Sequence, residues 1–208
     1  MNRLLIVGAG GHGKVVAEAA LASSRWTEIG FLDGRYPDVA PVLNWPVMGK
    51  DTDADRFLPM YANALVAIGD NRMRLALLAA LERSGFQLPV IAHPKSWASP
   101  SARIGVGTVL IAGAIVNAGA TLGRGCILNT AATVDHDCCI GDGVHVSPGA
   151  HVGGEVVVGD RTWIGIGAAI HHCVRIGADV MVGAGAAVVD DVPDGVTMLG
   201  VPARVISK

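Results

Sequence analysis

Three of the seven histidines of this 208-residue chain, His136, His145 and His151, fall within sixteen residues of one another, and His136 is followed at once by Asp137. An imidazole beside a carboxylate is suited to act as a general base, because the carboxylate favours the imidazolium formed when a proton is taken. A second chemically suggestive group lies near the start. There Gly8-Ala9-Gly10-Gly11-His12-Gly13 follows the apolar run Arg3–Val7 and precedes a helix-forming stretch from Lys14 to Ala22. A strand, a glycine turn and a helix leave the first N–H groups of that helix open to a phosphate. Asp33 ends a second apolar run twenty residues after Gly13, where a carboxylate can hold a ribose hydroxyl. A third run, Ala64–Ile68, ends at Gly69-Asp70-Asn71-Arg72 and feeds a helix.

The elements that position the histidines are set by a period of six. Stepping by six from Ile104 to Val188 meets fifteen aliphatic residues in succession. The position four later in each hexad, from Thr108 to Val192, is always small or β-branched. A helix repeats at 3.6 and a strand at 2, so this period predicts a solenoid of short strands and turns in which three hexads close one triangular coil. Fifteen hexads make five coils, stacked about 4.8 Å apart over about 24 Å. Glycine often follows the aliphatic residue, as at Gly105, Gly123 and Gly141, where a tight bend favours it. His136 and Asp137 fall between the inward positions and therefore face outward. One coil of eighteen residues on, Gly154 stacks on His136, and its missing side chain leaves a slot above the imidazole with the Gly154 N–H beside it, placed to serve as an oxyanion donor.

Composition agrees with the repeat. Hydrophobic residues make up 51% of the chain while aromatics reach only 4%, and 28 residues are glycine. So many glycines exclude a helical bundle or coiled coil, and so much apolar content excludes a disordered tail. A net charge of −2 without a like-charge run speaks against nucleic acid or an anionic membrane surface as partner. No apolar stretch reaches the roughly 18 residues of a membrane span, and the opening lacks a secretory cleavage pattern. Four cysteines without CxxC spacing point to packing roles in a reduced, cytoplasmic compartment. The segment His93–Pro100 reads as a linker dividing residues 1–92 from 93–208.

The hexads, with the ending Gly200-Val201-Pro202-Ala203-Arg204, resemble the left-handed parallel β-helix of the hexapeptide-repeat acyltransferases. Combined with a Rossmann-like α/β half-domain, the whole chain resembles one branch of sugar O- and N-acyltransferases. That branch includes sialic acid O-acetyltransferases of the NeuD type and enzymes that acetylate the 4-amino group of nucleotide-linked amino sugars. The resemblance implies a homotrimer with sites between subunits, acetyl-CoA as co-substrate, no bound cofactor or metal, and a role in glycan biosynthesis. It implies His136 as base, Asp137 raising its basicity, Asn129 near the acceptor, and His145, Gly154, Ile166 and Ala184 along the acetyl-CoA channel. Gly10, Gly11 and His12 would line the diphosphate and ribose, Asp33 the nucleoside, and Gly69 with Arg72 the far side of the pocket. Trp163, eighteen residues after His145, would lie outside the core beside the channel.

The implied reaction is direct N-acetylation of a UDP- or GDP-linked amino-deoxy sugar, with O-acetylation of a sialic-acid-like sugar as the alternative. The serines and cysteines give no support for a covalent intermediate. Two further readings use the same prism. A zinc enzyme resembling the γ-class carbonic anhydrases needs two histidines five apart, whereas the spacings here are nine, six and twenty. The other is a trimeric scaffold without catalysis.

Overall fold

The computed structural model describes residues 2–206. The apolar runs near the start pair as β1 (Arg3–Val7), β2 (Glu28–Leu32), β3 (Val47–Gly49) and β4 (Asn63–Val66), all parallel in the order β3-β2-β1-β4. Such a sheet must be covered on both faces, and alternation along β1 sorts the side chains. Leu4 and Ile6 pack against α1 (Gly11–Ala22), while Leu5 and Val7 pack with Leu78 and Leu81 of α2 (Asn71–Arg83). Asp70 caps α2 by accepting the Met73 N–H at 2.8 Å, a contact of the kind that satisfies a helix's first unpaired donors.

From Ile91 to Val188 the chain lays down two-residue rungs every six residues. Each rung pairs in parallel with those one coil away, so Thr121 lies between Arg103 and Cys139, eighteen residues to either side. Three sheets of five, six and eight strands result, and they form a left-handed parallel β-helix. All fifteen small positions from Thr108 to Val192 are buried, as is every aliphatic position after Ile104.

Several sequence expectations change in detail. The left-handed backbone position is two residues later than expected: every sixth residue from Gly107 to Gly185 has positive φ, including Ala131, Asp137, Glu155 and Cys173. Gly105 and its counterparts have ordinary φ. Their role is close stacking, since a Cβ on Gly105 would stand 2.5 Å from the Gly123 backbone of the next coil. The expected linker is part of the prism, because Trp97–Ala98 pairs with Ile115–Val116 and Ile91–Ala92 with Val109–Leu110. Of the cysteines, Cys126 and Cys138 are packed inside, while Cys139 and Cys173 are exposed.

The α/β unit docks on one face of the prism. Ile91, Val109 and Ile127 from that face share a core with Leu4, Ile6 and Phe31. At the corner bordering it, Leu75 and Leu78 of α2 lie over Gly107, Gly125 and Gly143, where a Cβ would collide with them. In a triangular prism this leaves one corner opposite the docked face. The turns that carry His136 and Gly154 form that corner, between the rungs ending at Val134 and Val152 and those beginning at Cys139 and Val157.

Candidate active site

The glycine loop borders a cavity of 460 Å³ between β1, α1 and β4, lined among others by Gly10, Gly11, His12, Asp33, Arg35 and Gly69. Gly8 takes φ +112, a region L side chains rarely adopt, and a Cβ on Gly13 would collide with the Gly8 carbonyl. Around Gly10 and Gly11 nothing lies within 4 Å of a Cβ position, so this wall is open backbone. The N–H groups of the first turn of α1 border this cavity and, with the helix dipole behind them, suit an anion.

Asp33 occupies this cavity but is not free to bind a ribose. Its Oδ2 accepts the Ala9 N–H at 2.8 Å and Arg35 Nη2 at 3.0 Å; its Oδ1 accepts the Arg35 N–H at 3.0 Å and Arg35 Nε at 2.7 Å. A carboxylate offers about four acceptor positions, and all are taken. These bonds, that to the Arg35 side chain foremost, hold the Asp33 carboxyl well below the usual carboxylate range. Arg72 does not line the cavity at all. Its guanidinium pairs with Asp179 of the prism at 2.7 Å, beside Arg161 and Trp163.

At the junction with the prism the loop meets His145, one of the residues expected along the acetyl-CoA channel. His12 lies with its ring centroid 6.4 Å from that of His145, and Trp163 packs on His145 at 4.1 Å while facing Gly69. Trp163 is thus outside the prism core, as expected, but as a wedge between the two parts of the chain. Asn129 Nδ2 stands 3.4 Å from His145 Nε2. Burial pushes His12 down to about 4 and His145 to about 3, with the positive charge of Arg74 adding to both, so these imidazoles are neutral near pH 7. His12 Nε2, His145 Nδ1 and Ser147 Oγ are buried with no hydrogen-bond partner among the described residues.

His136 lies apart from this junction, on the opposite corner. Its Nδ1 is 2.9 Å from Asp137 Oδ2, and its N–H donates to Asp135 Oδ1 at 2.8 Å, which also accepts from Asn117 of the coil below. The hydrogen bond to Asp137, helped by the charges of Asp135, Asp137 and Glu155, raises the imidazole above its ordinary value. The other edge of the ring faces Gly154, where a Cβ would stand 2.6 Å from Nε2. The slot expected above His136 therefore holds the imidazole itself. Ile166 and Ala184 are exposed one coil apart at a different corner, beside the face that carries His145. His171 and His172 stack on each other at 4.0 Å. Among the described residues no group of three or more His, Cys, Asp and Glu is arranged to hold a metal ion, and no helix is long and apolar enough to cross a membrane.

Sequence reasoning missed Arg35, Asp51 and Arg74. Arg35 follows Asp33 by two residues, a spacing that could have been noticed. Arg74 carries no signal, since an arginine on an amphipathic helix reads as exposed. It is fully buried, binding Ile68, Gly69 and Asn71 on its own side and the Gly125 and Gly143 carbonyls of the prism.

Residues 3–81 match the family model of the PglD N-terminal domain, and residues 155–189 that of the bacterial transferase hexapeptide repeats. The chain is similar over 99% of its length, and 99% of the other chain, to the acetyltransferase domain of PglB from Neisseria gonorrhoeae FA1090, solved with acetyl coenzyme A; identity is 45% and the TM-score 0.95. PerB from Caulobacter crescentus, solved with CoA and GDP-perosamine, is 40% identical over 100% of this chain and 98% of its own, with a TM-score of 0.94. A UDP-N-acetylbacillosamine N-acetyltransferase from Bacillus subtilis (strain 168) is 39% identical over 114 residues, 54% of this chain. The matched stretch spans about half of that relative, 52% of its length.

Proposed function

This chain belongs to the hexapeptide-repeat sugar acyltransferases with a PglD-type N-terminal domain, and from that premise we propose that it is an acetyl-CoA-dependent N-acetyltransferase. Its acceptor is the 4-amino group of a nucleotide-linked amino-deoxy sugar, as the names of its relatives suggest. The observation that carries the reading is His136, held through Nδ1 by Asp137 with its opposite edge against Gly154.

In this reaction the neutral amine attacks the thioester carbonyl, the C–N bond forms and the C–S bond breaks. His136 takes the amine proton and returns it to the departing thiolate. The Gly154 N–H, which has no acceptor among the described residues, stabilises the tetrahedral oxyanion. Gly10, Gly11 and His12 hold the diphosphate, and His145 with Asn129, Ile166 and Ala184 borders the acetyl-CoA path.

One chain does not bring these parts together, because His136 lies on the corner opposite the face that carries the nucleotide cavity. A homotrimer would complete the site, with the His136 corner of one subunit meeting the cavity, His145 and the Ile166 corner of its neighbour. A cytoplasmic location goes with it, because acetyl-CoA and nucleotide sugars are supplied there.

The test is release of CoA thiol when the purified protein is mixed with acetyl-CoA and UDP- or GDP-linked 4-amino-6-deoxy sugars. His136→Ala is expected to lower kcat by about 10² or more while acetyl-CoA still binds. No thiol release with any of these sugars, or wild-type turnover in the variant, would refute the assignment. Light scattering that returned the mass of one chain would refute the shared site.

A further inference from the structure

The junction beneath Trp163 holds polar atoms that the acetyl transfer leaves unused. His12 Nε2 and His145 Nδ1 belong to neighbouring rings, and both are buried without a hydrogen-bond partner among the described residues. Both imidazoles are neutral, so each carries a single N–H, and the nitrogen that holds it decides what the ring can bind.

The prism settles that choice for His145. Asn129 Oδ1 accepts the Thr130 N–H at 2.9 Å, which leaves the amide nitrogen Nδ2 as the atom 3.4 Å from His145 Nε2. An amide nitrogen only donates, so Nε2 accepts and the ring hydrogen sits on Nδ1. Trp163, packed on the ring at 4.1 Å, holds its plane. His145 therefore carries a buried donor, Nδ1–H, that has no acceptor among the described residues.

His12 carries the complementary need. Its Nε2 is buried in the junction while the residue lines the glycine-loop cavity, which leaves Nδ1 as the nitrogen available to the cavity. A His12 that accepts at Nε2 must hold its own hydrogen on Nδ1. Ser147 Oγ, two residues beyond His145 and also buried without a partner, can accept and donate at once, so it joins such a chain without reversing it.

We propose that Asn129 and His145 are positioning residues for the nucleotide site: through a hydrogen-bond relay of fixed direction they hold His12 as an Nδ1–H donor for an anionic oxygen of the sugar nucleotide. This rests on the nucleotide-sugar reading above, and it gives two residues expected beside acetyl-CoA a task toward the other substrate. A neutral donor suits the place, because a cationic His12 would be buried near the charge of Arg74. The ring centroids stand 6.4 Å apart, about 1 Å more than a direct N–H···N bond between imidazoles spans, so the relay closes with a small shift of His12 when the anion binds.

The experiment is NMR of the full chain, isotope-labelled at the histidine ring nitrogens, which separates protonated from bare nitrogens. Spectra are taken with and without UDP and GDP, and His12→Gln and His145→Gln assign the signals. The expected result is His145 protonated on Nδ1 throughout, and His12 protonated on Nδ1 with Nε2 bare in the nucleotide complex. Asn129→Ala should release the His145 preference for Nδ1–H, a change that a purely structural role for Asn129 would not produce. The same variant, and His145→Phe, should weaken the nucleotide that binds by about fivefold in calorimetric titration, the worth of one net hydrogen bond. Melting curves check that both variants remain folded. His145 or nucleotide-bound His12 protonated on Nε2 instead, or variants that bind within about twofold of the wild type, would overturn the relay alone. A wild-type chain that binds neither UDP nor GDP would overturn the nucleotide-sugar reading on which it rests.

Discussion

Replacing Arg74 by Met tests how the nucleotide domain is fastened to the prism. Arg74 is fully buried, and among the described residues no carboxylate pairs with it; it donates to Gly125 O and Gly143 O at 2.7 Å, Ile68 O at 2.9 Å, Gly69 O at 3.1 Å and Asn71 Oδ1 at 2.8 Å. Burial pushes the guanidinium down to about 10 despite the nearby Cys126 and Asp70. Methionine keeps the length and the apolar stem but removes every donor. Gly125 O and Gly143 O have no other donor among the described residues. Two buried carbonyls left unpaired at about 1–3 kcal/mol each give about 2–6 kcal/mol of destabilisation. Relief of the cost of burying the cation offsets part of this, leaving about 3 kcal/mol. For a chain of this size 1 kcal/mol moves the melting temperature by about 2–4 °C, so Arg74→Met should melt about 6–12 °C lower in scanning calorimetry. Because Arg74 also holds the Ile68 and Gly69 carbonyls at the cavity rim, KM for the nucleotide sugar should rise while acetyl-CoA binding holds. A variant melting within about 2 °C of the wild type would refute the view that these bonds hold the two parts together.

Three further outcomes are expected. Gly154→Ala suits the backbone but drives its methyl into the His136 ring, so turnover should fall by at least about tenfold with the melting temperature nearly unchanged; wild-type activity would detach Gly154 from the site. Because Asp137 raises His136 above 6.5, the protonated and inactive form persists above that pH. The acid limb of the kcat/KM profile should therefore lie above pH 6.5 and move down in Asp137→Asn; an unmoved limb excludes the pair as its origin. His12 and His145 are held low by burial, so the unfolded chain takes up protons that the native state refuses as pH falls below 6.5 toward 4. Stability should drop across that window in denaturant titrations, and His145→Gln should make the slope shallower by about 1.4 kcal/mol per pH unit. An equal slope in both proteins would count against a neutral buried His145.

The prism was legible because its geometry is local and repeated. A residue every six positions must point inward, so the inward list from Leu110 to Val188, the outward place of His136 and the stacking of Gly154 upon it all follow from counting. The role of Gly105 was misread because a bend and a close approach both call for glycine, and only the φ angle and the neighbouring coil separate them. Asp33 was misread for a related reason. Its spacing from the glycine loop marks the right place, but whether a carboxylate is free depends on what else reaches it, and Arg35 reaches it first.

The sequence by itself determined the α/β unit, the coil of eighteen residues, the glycine-loop cavity and the His136–Asp137 pair, since each arises from backbone preferences and contacts within a few residues or one repeat. Only the tertiary structure decided that the unit docks on one face of the prism through Arg74, that His12 meets His145 beneath Trp163, and that Arg72 turns away to Asp179. It also decided that His136 lies on the far corner from the glycine-loop cavity. The contacts of Arg74 with Gly125 and Gly143, of His12 with His145 and of Arg72 with Asp179 join distant parts of the chain, brought together by burial and by buried carbonyls that need donors, and no local pattern encodes such a meeting.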